Sequence, residues 1–182
     1  MEFIPTQIPG VILIRSAVHQ DPRGNFLETY RQTEFSSAGI ELPFVQANHA
    51  GSKGGVLRGL HYQIQQAQGK LVRVVSGAVY DVAVDLRRSS ATFGKAVGVE
   101  LSGENKDQLW IPPGFAHGYY VLSDWAEVSY MVTDYYAPRW ERTLLWNDPA
   151  LLIEWPLNNE QPPLLSKNDC QGTPFPEAET YE

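Results

Sequence analysis

The residues of this chain best suited to chemistry are three titratable side chains set among strand-forming neighbours. His61 stands in the stretch GLHYQ at 59–63, Lys70 follows Gln68 and Gly69, and Tyr130 lies in the strand-like run 128–133. Strands that serve only packing usually carry apolar side chains at such positions. The three residues therefore indicate strands that line a cavity.

The side-chain alternation of a strand predicts which residues share that cavity. Lys70 has the same parity as Val72 and Val74, and Tyr130 the same parity as Val128 and Val132, while His61 shares a face with Gly59 and Gln63. If these faces point inward, an imidazole, an ammonium and a phenol meet in a largely apolar chamber. Burying three titratable groups is costly unless they are paired or used.

Such a chamber suits removal of a proton from a carbon next to a ketone. An imidazole titrates near pH 6.5 and can take the proton, so His61 is the predicted base. A nearby ammonium, Lys70, can stabilise the enolate oxygen, and inversion needs a proton donor on the opposite face, for which Tyr130 is the candidate. Asp169 could fix the tautomer of His61, although the sequence also allows it to be a solvated loop residue.

The remaining pattern predicts an all-β barrel or sandwich. Short runs rich in β-branched and aromatic residues lie at 11–14, 26–30, 71–75, 79–86 and 128–133. The run 79–86 alternates and predicts a half-buried strand, with Asp81 and Asp85 on its polar face. Helices are expected only at 33–38, capped by Thr33, and at 104–108, and the Pro-rich segments 156–163 and 174–176 predict an extended tail.

Composition narrows the class of protein further. A chain of 182 residues with 43% apolar residues predicts a single domain over 1–182. A net charge of −7 argues against nucleic-acid binding, and the lack of a long apolar run or signal-peptide pattern predicts a cytoplasmic protein that does not bind membranes. Cys170, the one cysteine, is expected to be an ordinary loop residue.

Several longer motifs make the chain resemble the dTDP-4-dehydrorhamnose 3,5-epimerase family. They are DPRG at 21–24, LRGLHYQ at 57–63, WNDP at 146–149, EWP at 154–156 and SKND at 166–169. The resemblance implies a cupin-type β-barrel (jelly roll) with a few short helices and an extended C-terminal tail. It also implies an isomerase without a cofactor that inverts C3 and C5 of a dTDP-4-keto-6-deoxyhexose.

The resemblance further assigns roles to individual residues. His61 and Asp169 correspond to the base dyad, Tyr130 to the acid and Lys70 to the group that stabilises the enolate. Residues that correspond to the substrate-binding set are Arg23, Phe26, Glu28, Gln46, Asn48, Arg58, His117, Tyr136 and Lys167. The family is dimeric, with N-terminal strands of one subunit completing the partner's sheet and site, so Arg23, Phe26 and Glu28 are expected to act across a homodimer interface.

Three positions do not fit simply. Strict alternation puts Arg58 on the face opposite His61, which a bulge or a two-sided site would resolve. Met131 replaces a residue that is often polar or basic in the family, and by parity it should point away from the lumen. Trp140 replaces a frequent histidine and could stack on thymine or pack against the protein.

Other functions stay open from the sequence. Many cupins hold a metal through a His-x-His pair and a later histidine, but Gln63 breaks the pair here and leaves only His61 and His117, so no metal is expected. A metal-dependent cupin oxygenase or isomerase is disfavoured for the same reason. An epimerase acting at C3 or C5 alone and a non-catalytic sugar-nucleotide-binding cupin are the remaining alternatives.

Overall fold

The computed structural model describes residues 1–158 and 161–182, and in these the chain forms two antiparallel sheets that face each other. Numbered in chain order, the strands of the larger sheet are β1 (Glu2–Pro5), β2 (Ile12–Arg15), β5 (Gln46–Lys53), β7 (Lys70–Ser76), β10 (Gln108–Ile111) and β12 (Trp125–Val132). Their spatial order is β1-β2-β10-β7-β12-β5.

The strands of the second sheet are β6 (Leu57–Gln63), β8 (Ala78–Asp85), β9 (Ala96–Ser102), β11 (Phe115–Val121) and β13 (Glu141–Thr143). Their spatial order is β13-β6-β11-β8-β9. Within the described residues, no strand pairing joins the two sheets into a closed cylinder. The mostly-β architecture predicted from the sequence is confirmed.

The main core lies between the sheets and is built by alternating positions. Val72 and Val74 of β7 pair with Tyr130 and Val128 of β12, so their side chains share the inner face, as parity predicted. The opposite face of the larger sheet is covered by helix α1 (Gln32–Ser37) and an aromatic cluster around its Phe35. Each face of this sheet therefore buries its own set of apolar side chains.

The C-terminal segment covers the outer face of the smaller sheet. Trp155, Phe175, Ala178 and Tyr181 pack on a cluster that includes Leu60. Isolated bridges attach the tail to the sheet at Val56–Leu164, Leu144–Thr173 and Arg87–Tyr181. The predicted extended tail is confirmed, except for positions 159–160 of the Pro-rich segment, which lie outside the described residues.

Some local predictions were wrong. Strand β8 is not half-buried: Asp81 and Asp85 are both 0% exposed, because the lumen covers one face and the tail covers the other. The segment 104–108 is a turn that leads into β10, and helix α1 begins after Arg31 without a side-chain cap from Thr33. Cys170 is the exposed last residue of helix α2 (Lys167–Cys170), not a loop residue.

The N-terminal strands behave in two ways. Strands β1 and β2 belong to the chain's own larger sheet, whereas β3 (Val18–Asp21) and β4 (Gly24–Leu27) pair only with each other, in a hairpin of mostly exposed residues. None of the helices among the described residues has the length and apolar character needed to cross a membrane.

Candidate active site

A cavity of about 270 Å³ opens between the two sheets near the first residue of β7. Both sheets contribute to its wall. The lining residues are Gln46, Asn48, His61, Tyr62, Gln63, Gln68, Lys70, Tyr130, Tyr136 and Glu141. The structure thus brings the predicted base, ammonium and phenol to one cavity.

His61, on β6, is held by a buried carboxylate. Its Nε2 lies 2.7 Å from Oδ1 of Asp169, which also accepts the Gly59 N–H, while Oδ2 accepts the Ser166 hydroxyl at 2.6 Å. Burial alone would raise the pKa of Asp169, but the hydrogen bonds from His61 and Ser166 outweigh it and lower the pKa to about 2. An ionised carboxylate only accepts, so Nε2 carries the proton and the other ring nitrogen is free to act as a base.

The sequence explains how Asp169 comes to this position. Ser166 is the N-cap of α2, and Ser166 and Asp169 form a reciprocal capping box: the Ser166 hydroxyl accepts the Asp169 N–H, and the Asp169 carboxylate accepts the Ser166 N–H. The same carboxylate therefore closes the helix and binds His61.

Lys70 enters the cavity from the other sheet. It is the first residue of β7, and its Nζ donates to the backbone carbonyl of His61 at 3.3 Å. Burial lowers the pKa of Lys70 to about 8, although the charges of Asp81 and Glu141 favour the ammonium. Near neutral pH the group is still mostly a cation, in a site that solvates it poorly.

Tyr130 faces His61 across the lumen. It lies on β12 between Val72 of β7 and Asn48 of β5, whereas His61 lies on the opposing sheet. Burial raises the pKa of Tyr130, and the nearby charge of Arg58 partly offsets this effect. The phenol is therefore protonated at neutral pH and can donate a proton from the side opposite the imidazole.

A second carboxylate–histidine pair lies behind the cavity. His117 on β11 is beside His61, and its Nε2 contacts both carboxylate oxygens of Asp81, at 3.0 and 2.9 Å. Burial lowers the pKa of His117, against the opposing effect of Asp81. His117 is not among the lining residues of the cavity, and it links Asp81 to the wall that carries His61. Its role in substrate binding stays a prediction.

A register shift resolves the difficulty with Arg58. On β11, His117 pairs with His61, but Tyr119, two residues later, pairs with Arg58, three residues before His61. This bulge breaks strict alternation. The Arg58 guanidinium donates to the Ser52 hydroxyl at 3.0 Å and acts electrostatically on Tyr130, although Arg58 is not among the lining residues of the cavity.

Four predicted binding residues lie away from the cavity of this chain. Arg23 and Phe26 are on the β3–β4 hairpin, with the Arg23 side chain 90% exposed and paired with Asp21, and Phe26 71% exposed. Glu28 binds Arg31 at 2.8 Å, and Lys167 is exposed at the first position of α2.

Sequence reasoning assigned no site role to four lining residues, Tyr62, Gln63, Gln68 and Glu141, nor to Asp81 behind the cavity. Glu141 enters the cavity because β13 pairs with β6, opposite Gln63, and accepts the Tyr136 hydroxyl at 2.8 Å. No motif marks Glu141 in the sequence. Gln68 lines the cavity, and Asp81 is a buried charged residue between the apolar residues Tyr80 and Val82 of β8.

Met131 and Trp140, the two positions that depart from the family pattern, both pack against other side chains of this chain. Met131 packs with the aromatic cluster on the outer face, which confirms that it points away from the lumen. Trp140 is partly buried in the turn Pro138–Trp140 and stacks under the Arg139 guanidinium.

Among the residues with described positions, no three His, Cys, Asp or Glu side chains are grouped as metal ligands. A metal-free site stays a prediction.

Comparison with known proteins shows to which family the chain is similar. The family model described as dTDP-4-dehydrorhamnose 3,5-epimerase matches residues 5–177. An enzyme of that name from Pseudomonas aeruginosa is 57% identical to this chain, and the alignment covers 96% of each chain. An enzyme of that name from Shigella flexneri is 53% identical, and the alignment covers 100% of this chain and 99% of the other.

A solved structure of a dTDP-6-deoxy-D-glucose-3,5-epimerase from Legionella pneumophila, in complex with dTDP-4-keto-L-rhamnose, has 48% sequence identity and a TM-score of 0.95. The alignment covers 98% of this chain and 94% of that one. These matches confirm the predicted cupin-type fold and the predicted class of enzyme, an isomerase. The chain belongs to the dTDP-4-dehydrorhamnose 3,5-epimerase family.

Proposed function

We propose that this protein inverts C3 and C5 of a dTDP-4-keto-6-deoxyhexose, with His61 as base, Tyr130 as acid and Lys70 as the partner of the enolate oxygen. The observation that carries the assignment of roles is that His61 and Tyr130 lie on opposing sheets, across one cavity. Inversion at carbon requires removal of a proton on one face and delivery on the other.

The first step breaks a C–H bond next to the C4 carbonyl. The free ring nitrogen of His61 takes the proton, and the electron pair moves through the new C=C bond to the carbonyl oxygen, giving an enolate. Asp169 stabilises the imidazolium that forms, because its carboxylate is already hydrogen-bonded to Nε2 at 2.7 Å.

Lys70 supports this step through charge. Its ammonium is held near His61 by the 3.3 Å bond to the His61 carbonyl, so it is close to where the enolate oxygen develops. A donor placed in this way contributes on the order of 3 kcal/mol to transition-state stabilisation. The step needs no further reactant, since the proton and the electron pair both stay within the complex.

The second step forms the new C–H bond from the opposite face. Tyr130 donates its hydroxyl proton to the carbon and the enolate returns to the ketone. The phenolate then regains a proton from solvent, and the His61 imidazolium releases to solvent the proton that it took, which restores both groups. Arg58, which acts on Tyr130 electrostatically, stabilises the transient phenolate. The sequence is carried out once at each of the two carbons that flank the carbonyl.

Features of the cavity wall support a nucleotide-sugar substrate. Gln46 and Asn48 on β5 offer amide groups to a base or sugar, and Tyr136 offers a half-exposed aromatic ring. The Legionella relative, bound to a dTDP-keto-sugar, supports the same class of ligand for this cavity. A cytoplasmic location and the lack of nucleic-acid and membrane partners remain predictions.

The test of the reaction is isotope exchange. The protein should introduce deuterium at C3 and at C5 of dTDP-4-keto-6-deoxyglucose when the two are incubated in D₂O. NMR or mass spectrometry detects the label at each carbon. Label at one carbon alone would point to a single-site epimerase. Binding without label at either carbon would mean a non-catalytic sugar-nucleotide protein.

Two variants separate the roles. His61→Ala should abolish exchange, whereas Tyr130→Phe should lose inversion by about 100-fold while exchange persists on the face of His61. His49→Ala and Tyr80→Phe are matched controls, because His49 lies on the exposed face of β5 beside Glu127 and Tyr80 packs on the outer cluster. Full turnover by His61→Ala would rule out the assigned base.

We also propose a homodimer in which the β3–β4 hairpin completes the partner's site. The support is that Arg23 and Phe26 are exposed and far from the lining of their own cavity. Co-expressed Arg23→Ala and His61→Ala subunits should then recover about a quarter of wild-type activity, because half the dimers are mixed and each contains one complete site. No recovery would mean that Arg23 does not act across the interface.

A further inference from the structure

Three glutamine side chains bind the backbone of one loop at the cavity mouth. The loop is 134–137, between β12 and the turn at Pro138–Trp140, and it has no regular secondary structure. Gln68 Nε2 donates to the Asp134 carbonyl at 2.9 Å, and Gln46 Oε1 accepts the Tyr136 N–H at 3.1 Å.

Gln63 makes the most extensive of these contacts. Its Nε2 donates to the carbonyls of Gln66 at 2.7 Å and Tyr135 at 3.2 Å, and its Oε1 accepts the Ala137 N–H at 2.7 Å. The side chain is 3% exposed and lies across from Glu141 on β13. Both amide hydrogens and the carbonyl oxygen are therefore in use.

The loop carries a ring that the cavity uses. Tyr136 lines the cavity and is 52% exposed, so little packing holds it in place. Its hydroxyl is fixed by Glu141, and its backbone is fixed by Gln46 and, one residue later, by Gln63. The position of this exposed ring depends mainly on hydrogen bonds to side chains.

We infer that Gln46, Gln63 and Gln68, here named the glutamine clamp, preorganise loop 134–137 for the nucleotide, and that Gln63 is a positioning residue for binding. The inference rests on the proposed function, since it assumes a nucleotide-sugar ligand in this cavity. A loop that is already in its binding conformation leaves less ordering to be done when the ligand arrives.

The chemistry of the amide explains why this position is a glutamine. A neutral imidazole has one donor and one acceptor, whereas Gln63 uses two donors and one acceptor. A histidine at 63, which the metal-binding His-x-His pattern would require, could not make all three contacts. The residue that breaks the metal pattern thus has a specific use of its own.

Affinity for dTDP, measured by calorimetry, tests the inference. Gln63→Met keeps the approximate shape and removes all three hydrogen bonds, so the dissociation constant should rise about 10- to 100-fold, as expected if the free loop is in its binding conformation only about 1–10% of the time. Asn105→Leu is the matched control. Asn105 also makes three hydrogen bonds that fix a loop, but to Glu100, Ser102 and Asp107, near the opposite end of the sheets.

Steady-state kinetics of the Gln63 variants should show the effect in KM rather than in kcat. Because a bound substrate orders the loop again, Gln63→Met should raise KM by a similar factor and leave kcat within about threefold of wild type. Gln63→His, which keeps one donor and one acceptor, should give an intermediate affinity. Unchanged dTDP affinity in Gln63→Met, or a fall in kcat at constant KM, would overturn the inference.

Amide hydrogen exchange of the wild-type protein without ligand gives an independent measurement. The N–H groups of Tyr136 and Ala137 should exchange about 100-fold or more slowly than in an open chain, because glutamine oxygens accept both. Rapid exchange at both would refute the clamp even if the Gln63 variants fail to fold. If the wild type binds no dTDP, the proposed function fails, but this exchange still tests the clamp.

Discussion

The low pKa of Lys70 predicts an alkaline limit to catalysis that lies unusually close to neutrality. Burial lowers this pKa from 10.5 to about 8, and 1.36 kcal/mol per pKa unit converts the shift to about 3 kcal/mol against the ammonium in the empty site. If the reaction needs the ammonium, kcat/KM should be half-maximal near pH 8 and fall about tenfold for each further pH unit.

The loss of activity at high pH follows from the lowered pKa of the Lys70 amine. Below about pH 8 the ammonium is present and activity is retained, and above it the neutral amine cannot pair with the enolate. Tyr130 does not produce this limb, because burial raises its pKa above the usual phenol value.

The assay is the initial rate of epimerisation between pH 6 and pH 10, at substrate concentrations well below KM. Lys70→Arg is the informative variant, because a guanidinium keeps its charge up to a pKa of about 12 or higher. Its activity is expected to be lower, but the limb near pH 8 should disappear. A wild-type profile that stays flat to about pH 9.5, or the same limb in Lys70→Arg, would refute the reasoning.

Three further predictions follow from buried contacts. Asp169→Asn should lower the free energy of unfolding in urea by about 2 kcal/mol at pH 6, because the pKa of Asp169 falls from 3.8 to about 2 on folding. The difference in stability between the variant and the wild type should vanish as the pH drops toward 2. Asp81→Asn should move the alkaline limb of kcat/KM closer to neutral pH, because the Asp81 charge raises the pKa of Lys70. Gly59→Ala should destabilise the protein by about 3 kcal/mol or more, since a Cβ would lie 2.6 Å from Gly118 Cα, while Gly39→Ala, with φ +84° and no atom within 4 Å, should cost about 1 kcal/mol.

Each of these three predictions would be contradicted by one particular result. A constant stability difference between pH 6 and pH 2 would mean that the Asp169 charge is not stabilising. An unchanged limb in Asp81→Asn would remove Asp81 from the electrostatics of Lys70. Equal unfolding midpoints for the two glycine variants would show that the close approach of β6 and β11 is not rigid.

The sequence predicted the inner faces of β7 and β12 correctly because these strands pair in continuous register from Val128 to Val132. Tyr130 and Val72 are direct partners, so parity alone brings Lys70 and Tyr130 to the same lumen. The same argument misplaced Arg58, because a one-residue shift between β6 and β11 cannot be read from alternation. Parity is reliable only where the register is continuous.

Long-range contacts account for what the sequence could not supply. Asp169 meets His61 across 108 residues of chain, and no periodicity in either segment reports that contact. Asp81 was placed on the polar face of a half-buried strand, but it shares parity with Val79 and Ala83 of the core between the sheets, while the tail covers the opposite, apolar face of β8. Glu141 depended on the pairing of a three-residue strand, which is too short to leave a pattern.

The attachment of the tail gives the enzyme a way to lose activity without losing its fold. Asp169 belongs to the segment that returns over the smaller sheet through a few isolated bridges, whereas His61 is part of the sheet itself. If the segment around α2 detached briefly, both sheets would keep their hydrogen bonds, but the imidazole would be left without its anion. The catalytic lifetime of the molecule can therefore be shorter than the lifetime of its native sheets, and inactivation by heat or mild denaturant should precede the loss of β-structure.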